Sequence, residues 1–304
     1  MDVLKEIRHG LANLDANGRI LAITALPHSA PAWVFREDGA FGVAIELPDG
    51  PQVAEGFAGA KLRTVDRVVK GKPCRLLRLE CSIEALRNEF AVVCAQMVSP
   101  GDDCALRVAL TVDPLGWWER WRHLLGNAVV TQTAHGTLGE MLALERLLAK
   151  GEQVEWRGPL GGTVDLVTPT ARYEVKSTVS RYDSRIHVAG QFQLALSDSK
   201  PLALLHYRFE PSPLGSMSID SVSNRLVAAG MTRDHLEGLL IRCGLEAGSS
   251  VRKEMFDLLD CRLFPVDAAF PRITPASFGG GALPAGIVQI EYQVDLSGLA
   301  NEPF

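Results

Sequence analysis

The chain reads Thr163-Val-Asp-Leu-Val-Thr168, then Pro169-Thr-Ala171, then Arg172-Tyr-Glu-Val-Lys-Ser177. Two strand-like runs around a proline-containing turn signal predict a hairpin. Side chains alternate across a strand, so Glu174 and Lys176 share one face while Tyr173 and Val175 take the other. With an even number of residues in the connection, Asp165 lies opposite Glu174 on that same face. Two carboxylates and an ammonium then converge. A cross-strand salt bridge on a solvated face would also account for this trio. Two details weigh against it. Val164, Leu166, Val167 and Val175 are apolar on both sides, which predicts strands buried on both faces. Two acids with one lysine also leave excess negative charge, which a divalent cation would balance.

Working outward, Thr137-Leu-Gly-Glu140 opens a predicted helix that runs to about Lys150 and stops at Gly151. Thr137 with Glu140 three residues on fits a capping box, in which Glu140 caps its own helix. A helical wheel gives a second reading. Glu140 falls between Leu147 and Leu144, on the apolar arc, where an unpaired carboxylate is costly and a facing cation would offset the cost. Val154 to Arg157 reads as a short strand and Gly158-Pro-Leu-Gly-Gly162 as a loop. Downstream, Gln191-Phe-Gln193 falls on a predicted helix after His187. There Gln193 reads by itself as a solvent-facing helix residue. A second (D/E)-x-K triplet, Asp198-Ser-Lys200, is followed by Pro201 with no hairpin before it and reads as a turn.

Residues 1 to about 125 read as strand-rich. Phe41 to Leu47, Cys74 to Cys81 and Phe90 to Met97 are the expected strands, and Asp113 to Leu125 is an expected helix holding Trp117, Trp118 and Trp121. Residues 126 to 210 alternate helix, strand, hairpin, helix, strand. From 211 a Ser- and Pro-containing stretch leads to a helix near Thr232 to Cys243 and to short strands, including Gly286 to Leu296. The expected domains are therefore 1–125, 126–210 and 211–304.

Asp165, then Glu174-x-Lys176, after a helix carrying Glu140, resembles the PD-(D/E)XK phosphodiesterase superfamily. The string Tyr173-Glu-Val-Lys-Ser-Thr178 is similar to a segment of archaeal Holliday-junction resolvases and related restriction-type nucleases. Val164 stands where the motif's name has proline. Phe41 to Leu47, Gly136 to Leu144, Trp156 to Pro159, Phe270 to Ile273, Leu283 to Ile287 and Tyr292 to Leu296 extend the likeness to nearly the full length. They resemble the bacterial family described as PD-(D/E)XK motif protein, often encoded beside restriction and phage-defence genes.

The resemblance implies an α/β (α+β) chain. A restriction-endonuclease-like core would lie between a β-rich N-terminal domain and an α+β C-terminal extension. It implies Mg²⁺ (or Mn²⁺) held by Asp165 and Glu174 with the backbone carbonyl of Val175, and Glu140 at a second metal or its outer shell. Lys176 would orient or deprotonate the attacking water, with Gln193 near the site. The implied activity is endonuclease-type hydrolysis of DNA in a restriction or defence system. The alternative is a silent fold serving as a binding or scaffold subunit. Other subunits are expected partners, and a homodimer would suit double-strand cutting.

The whole chain has 304 residues and 31 Lys+Arg against 36 Asp+Glu, a net charge of -5. That balance excludes a uniformly basic nucleic-acid binder but not a local patch. Residues 126–210 hold nine of each sign, so bound cations would make that segment locally positive. Arg181 and Arg185, just past Lys176, are the expected DNA-phosphate contacts. The basic run Lys61, Arg63, Arg67, Lys70, Lys72, Arg75 and Arg78 reads first as a solvated hairpin, and the three tryptophans first as packing. No apolar run is long enough to cross a membrane, and MDVLKEIRHG lacks a signal-peptide core. The six scattered cysteines read as reduced thiols, so a cytoplasmic location is expected. No G-x-x-x-x-G-K-[ST], G-x-S-x-G or H-E-x-x-H is present, which argues against ATPase, α/β-hydrolase and zincin chemistry.

Overall fold

A computed structural model describes residues 2–14, 17–57, 59–69, 71–125, 134–196, 200–279, 281 and 283–304. The chain forms two compact units, one of residues 1–130 with 248–250, the other of 131–247 with 251–304.

The first unit begins with α1 (Val3–Asn13), capped by the Asp2 side chain. It continues with β1 (Asn17–Ala22), β2 (Ala32–Glu37), β3 (Ala40–Glu46), β4 (Ala54–Phe57), β5 (Ala60–Val69) and β6 (Lys72–Cys81). These strands make one antiparallel sheet, ordered β1-β2-β3-β6-β5-β4. Then come α2 (Arg87–Val98), α3 (Ala105–Val112) and α4 (Pro114–Leu125). Ile7 and Leu11 of α1 and Phe90, Cys94 and Met97 of α2 pack over Val43, Ile45, Leu62, Leu77 and Leu79 in one core.

One expected strand is overturned. Phe90 to Met97 is helical, because Phe90, Ala91, Cys94, Met97 and Val98 recur at helical spacing and all turn inward. The valines that suggested a strand sit between those positions. Trp118 is buried in this unit's own core, with Trp117 against it and the Trp117 and Trp121 rings 5.9 Å apart.

The second unit starts with α5 (Ala134–Ala149), followed by β7 (Glu155–Trp156), β8 (Leu166–Val167), β9 (Arg172–Thr178), β10 (Arg185–Val188) and β11 (Leu202–Pro211). Next are α6 (Ile219–Ala228), α7 (Arg233–Arg242), β12 (Phe256–Val266), β13 (Tyr292–Asp295) and β14 (Glu302–Pro303). Six strands form a mixed sheet ordered β14-β12-β11-β9-β8-β7. β11 runs parallel to β9, and the other pairings are antiparallel. The segments expected as separate core (126–210) and extension (211–304) thus share one sheet.

Both faces of this sheet are partly covered. Leu166, Val175, Leu205, Tyr207 and Phe209 pack with α5, α6 and α7 on one face. Val164, Leu202, Leu204, Phe264 and Val266 pack with the β10–β13 ribbon on the other. The expected helix around Gln191 does not form. Residues 191–194 are consecutive turns after Gly190, and the preceding segment pairs with distant β13 instead. Among the described residues the fold is therefore mixed α/β, with several sheets and seven α-helices.

All six cysteines are free thiols. Among the described residues no helix is long and apolar enough to cross a membrane.

Candidate active site

β9 supplies two of the site's side chains. Its register with β8 pairs Leu166 with Tyr173 and Val167 with Arg172, and the Asp165 N–H then also donates to the Tyr173 carbonyl at 3.1 Å, so the regular ladder stops short of the expected Asp165–Glu174 pair. The even connection anticipated from the sequence is what the hairpin has. Glu174 Oε1 accepts from Lys176 Nζ at 2.9 Å. Glu174 is 2% exposed and Lys176 20%, so the acid is sealed in the sheet while the ammonium reaches outward.

Asp165 is half-buried, and its Oδ2 accepts the backbone N–H of Val175 at 2.7 Å. On a strand the N–H and C=O of one residue leave on the same side. The Val175 carbonyl therefore also points toward Asp165 and away from β11.

α5 brings the third carboxylate. The helix already runs from Ala134, so Thr137 lies inside it and the capping-box reading of Glu140 fails. Glu140 instead points into the unit, 7% exposed, and its Oε2 accepts the Trp156 indole N–H at 2.6 Å. The close approach has a glycine at its centre. A Cβ on Gly158 would stand 2.3 Å from Glu140 Oε2 and 3.2 Å from Asp165 Oδ1, so both oxygens converge on one bare Cα. The Gly158 loop is fixed by the backbone N–H groups of Arg157 and Gly158, both donating to the Asp165 carbonyl.

Burial sets the electrostatics. Desolvation pushes the Glu174 carboxyl up to about 8, with the Asp165 charge raising it and Lys176 opposing. Glu140 is raised for the same first reason, then by Asp165, against the indole hydrogen bond. Desolvation also raises Asp165, against the Val175 N–H and Lys176. Three acids beside one lysine would carry excess negative charge if all were ionised, and without a cation the fold answers by holding the carboxyls protonated to higher pH.

Hard oxygen donors with an excess of charge are the donor chemistry of Mg²⁺ or Mn²⁺. Among the described residues no three His, Cys, Asp or Glu side chains already stand as a finished ligand set. One oxygen of each carboxylate is instead engaged by Trp156, Val175 or Lys176.

Gln193 does belong to the cluster, though on a turn and not a helix. Its Oε1 accepts from the Ala189 N–H at 2.9 Å and from Lys176 Nζ at 3.4 Å. Arg181 and Arg185 are exposed and already paired, Arg181 with Glu210 and Arg185 with Asp183. In the first unit, Arg63, Arg67, Arg75 and Arg78 of the basic run are paired with Glu80, Glu37 and Asp66. Arg78 is also stacked 3.7 Å over Phe35. Lys70, and the Asp198 and Ser199 of the second triplet, lie outside the described residues. Lys200 Nζ donates to the Thr168 carbonyl at 2.8 Å.

A family model described as "Putative PD-(D/E)XK family member, (DUF4420)" matches residues 20–297. The chain belongs to this family. The match spans both units and contains Glu140, Asp165, Glu174 and Lys176. PD-(D/E)XK proteins are generally nucleases, and they typically use divalent metals. No curated protein and no solved structure matches the chain.

Sequence reasoning missed what Trp156 and Gly158 do. Trp-Arg-Gly-Pro stood out only as a resemblance. Its contribution, an indole donor for Glu140 and a Cα without a side chain, exists only once α5 and the loop meet.

Proposed function

We propose that this protein is a divalent-cation-dependent nuclease that hydrolyses DNA phosphodiesters, working within a restriction or defence system. The observation that supports it is the buried meeting of Glu140, Asp165 and Glu174 beside Lys176, in a chain of the PD-(D/E)XK family.

In this reading Asp165, Glu174 and the Val175 carbonyl hold Mg²⁺ or Mn²⁺, and Glu140 holds a second ion or an outer-shell water. When bound, the cation supplies positive charge that stabilises the phosphoryl oxygens during in-line displacement. Lys176 does the protein's share. Its ammonium orients the attacking water and neutralises charge building on the phosphate, while Glu174 and Gln193 fix where it points. Trp156 keeps Glu140 aimed at the same pocket.

The test is nicking of supercoiled plasmid by purified protein with Mg²⁺ or Mn²⁺. Cleavage that EDTA stops and Lys176→Ala abolishes supports the proposal. Cleavage that survives Lys176→Ala refutes it.

A second reading is a silent fold that serves as a scaffold subunit. It is favoured by the internal donors already engaging one oxygen of each carboxylate. Absence of both cleavage and any divalent-cation thermal shift would select it.

A further inference from the structure

The face of the sheet that carries Glu174 and Lys176 continues onto β11. Parallel register sets His206 beside Lys176 and Arg208 beside Thr178. Neighbours across a ladder share a face, so Lys176, His206 and Arg208 line one side, with Asp260 and Arg262 of β12 next to them. The apolar cover of this face, Leu202, Leu204, Phe264 and Val266 under the β10–β13 ribbon, lies at the other end of these strands.

The acids nearest this end of β11 are taken by other arginines or lie beside them, with Asp295 across from Arg185. Glu210 pairs with Arg181, Asp183 with Arg185, and Asp260 with Arg262 through both oxygens. Among the described residues Arg208 has no ion-pair or hydrogen-bond partner, although Asp260 stands directly across from it. Its Nε is sealed from solvent without an acceptor, while the residue as a whole is half-buried. A sealed, unsatisfied guanidinium N–H is a cost to the fold, and an apolar chain of the same length would avoid it. Arg36, Arg78, Arg87, Arg107 and Arg172 also hold an Nε without an acceptor, but each donates through another guanidinium nitrogen, whereas Arg208 does not.

We propose that Arg208 is a substrate-contacting residue that binds a backbone phosphate of the DNA strand, one step along from the phosphate at Lys176. This rests on the nuclease reading above. It also reassigns the phosphate contact from Arg181 and Arg185, which acids already engage, to the arginine that no side chain engages. Two residues along β11 and one strand across put the Arg208 Cα roughly 8 Å from that of Lys176. A guanidinium offers phosphate a planar fork of donors, which an ammonium does not.

The experiment compares Arg208→Met, Arg208→Lys and Arg181→Gln with the wild-type chain. The readouts are melting temperature, affinity for a fluorescein-labelled DNA duplex in Ca²⁺ across a salt series, and plasmid nicking in Mg²⁺. Arg208→Met is expected to melt at or above the wild-type temperature and to bind DNA ~10-fold more weakly. Its slope of log affinity against log salt should be shallower by about one. Arg208→Lys should keep the wild-type slope, so that a folding defect in the methionine variant would not hide the effect. Arg181→Gln should bind within ~2-fold of wild type.

Wild-type affinity and slope in Arg208→Met overturn the inference while nicking leaves the nuclease reading standing. A lower melting temperature with unchanged slope makes Arg208 a structural residue and also overturns it. A wild-type chain that neither binds nor nicks DNA removes both.

Discussion

Single atoms decide how this pocket holds its charge. Glu140 keeps an aimed carboxylate because the Trp156 indole donates to it at 2.6 Å. Trp156→Phe removes that donor and leaves a buried acid short of a partner. It is expected to destabilise the second unit by about 2 kcal/mol, read by denaturant titration. Gly158→Ala is harsher on the site. Its methyl would stand 2.3 Å from Glu140 Oε2, so the Glu140 carboxylate must leave its present place. The expected result is loss of any Mg²⁺-induced thermal shift and of nicking, with near-UV circular dichroism still that of a folded chain. A retained Mg²⁺ shift in Gly158→Ala would mean the convergence at Gly158 is not where cations bind.

Elements set the distances that residues then use. β9 puts Glu174 and Lys176 on one face by simple alternation, and the start of the β8 hairpin ties Asp165 to β9 through the Tyr173 carbonyl and the Val175 N–H. α5 reaches the same spot because it packs on β9 through Gly139, whose absent side chain leaves room for Ser177 Oγ. A similar constraint governs the first unit. Gly42 in β3 lies against β6, where an added Cβ would meet the Leu79 carbonyl oxygen at 1.9 Å. That atom belongs to the backbone and cannot rotate away. Gly42→Ala is therefore expected to cost about 3 kcal/mol, measured by denaturant titration. A neutral Gly42→Ala would show that the two strands can part without loss.

Across the whole molecule, buried charge couples stability to pH and to cations. Glu174 is held at about 8 in the fold against 4.5 for a free carboxyl, so the folded state binds its proton more tightly than the unfolded one. A raised acid costs nothing while it is protonated in both states and destabilises the fold as pH climbs from the unfolded value to the folded one, above which the loss levels off. His206 runs the other way, depressed by burial to about 4. Above pH ~6.5 it is neutral in both states, which leaves the carboxylates as the main titrating groups. Cation-free protein is thus expected to lose about 1 kcal/mol per pH unit between pH ~6.5 and ~8. Mg²⁺ should restore it, with a larger thermal shift at pH 8 than at pH 6.5. A shift that does not grow with pH would separate cation binding from these acids.

Local pattern was enough for the hairpin, for the shared face of Glu174 and Lys176, and for the family resemblance that the family match later bore out. Those depend on alternation and register, which a short stretch of chain carries within itself. The same local pattern misread Phe90 to Met97, because β-branched residues and helical burial spacing competed and packing on β3 and β6 chose the helix. It also placed a helix at Gln191, where pairing of β10 with residues a hundred positions away pulled the segment into a ribbon and left turns. Whether Glu140 caps a helix or faces a cation pocket was open in the sequence. The tertiary structure removed the capping reading by starting α5 earlier, and it set Trp156, Gly158 and Asp165 against this carboxylate. Burial and leftover charge are properties of elements brought together, and no single segment contains them.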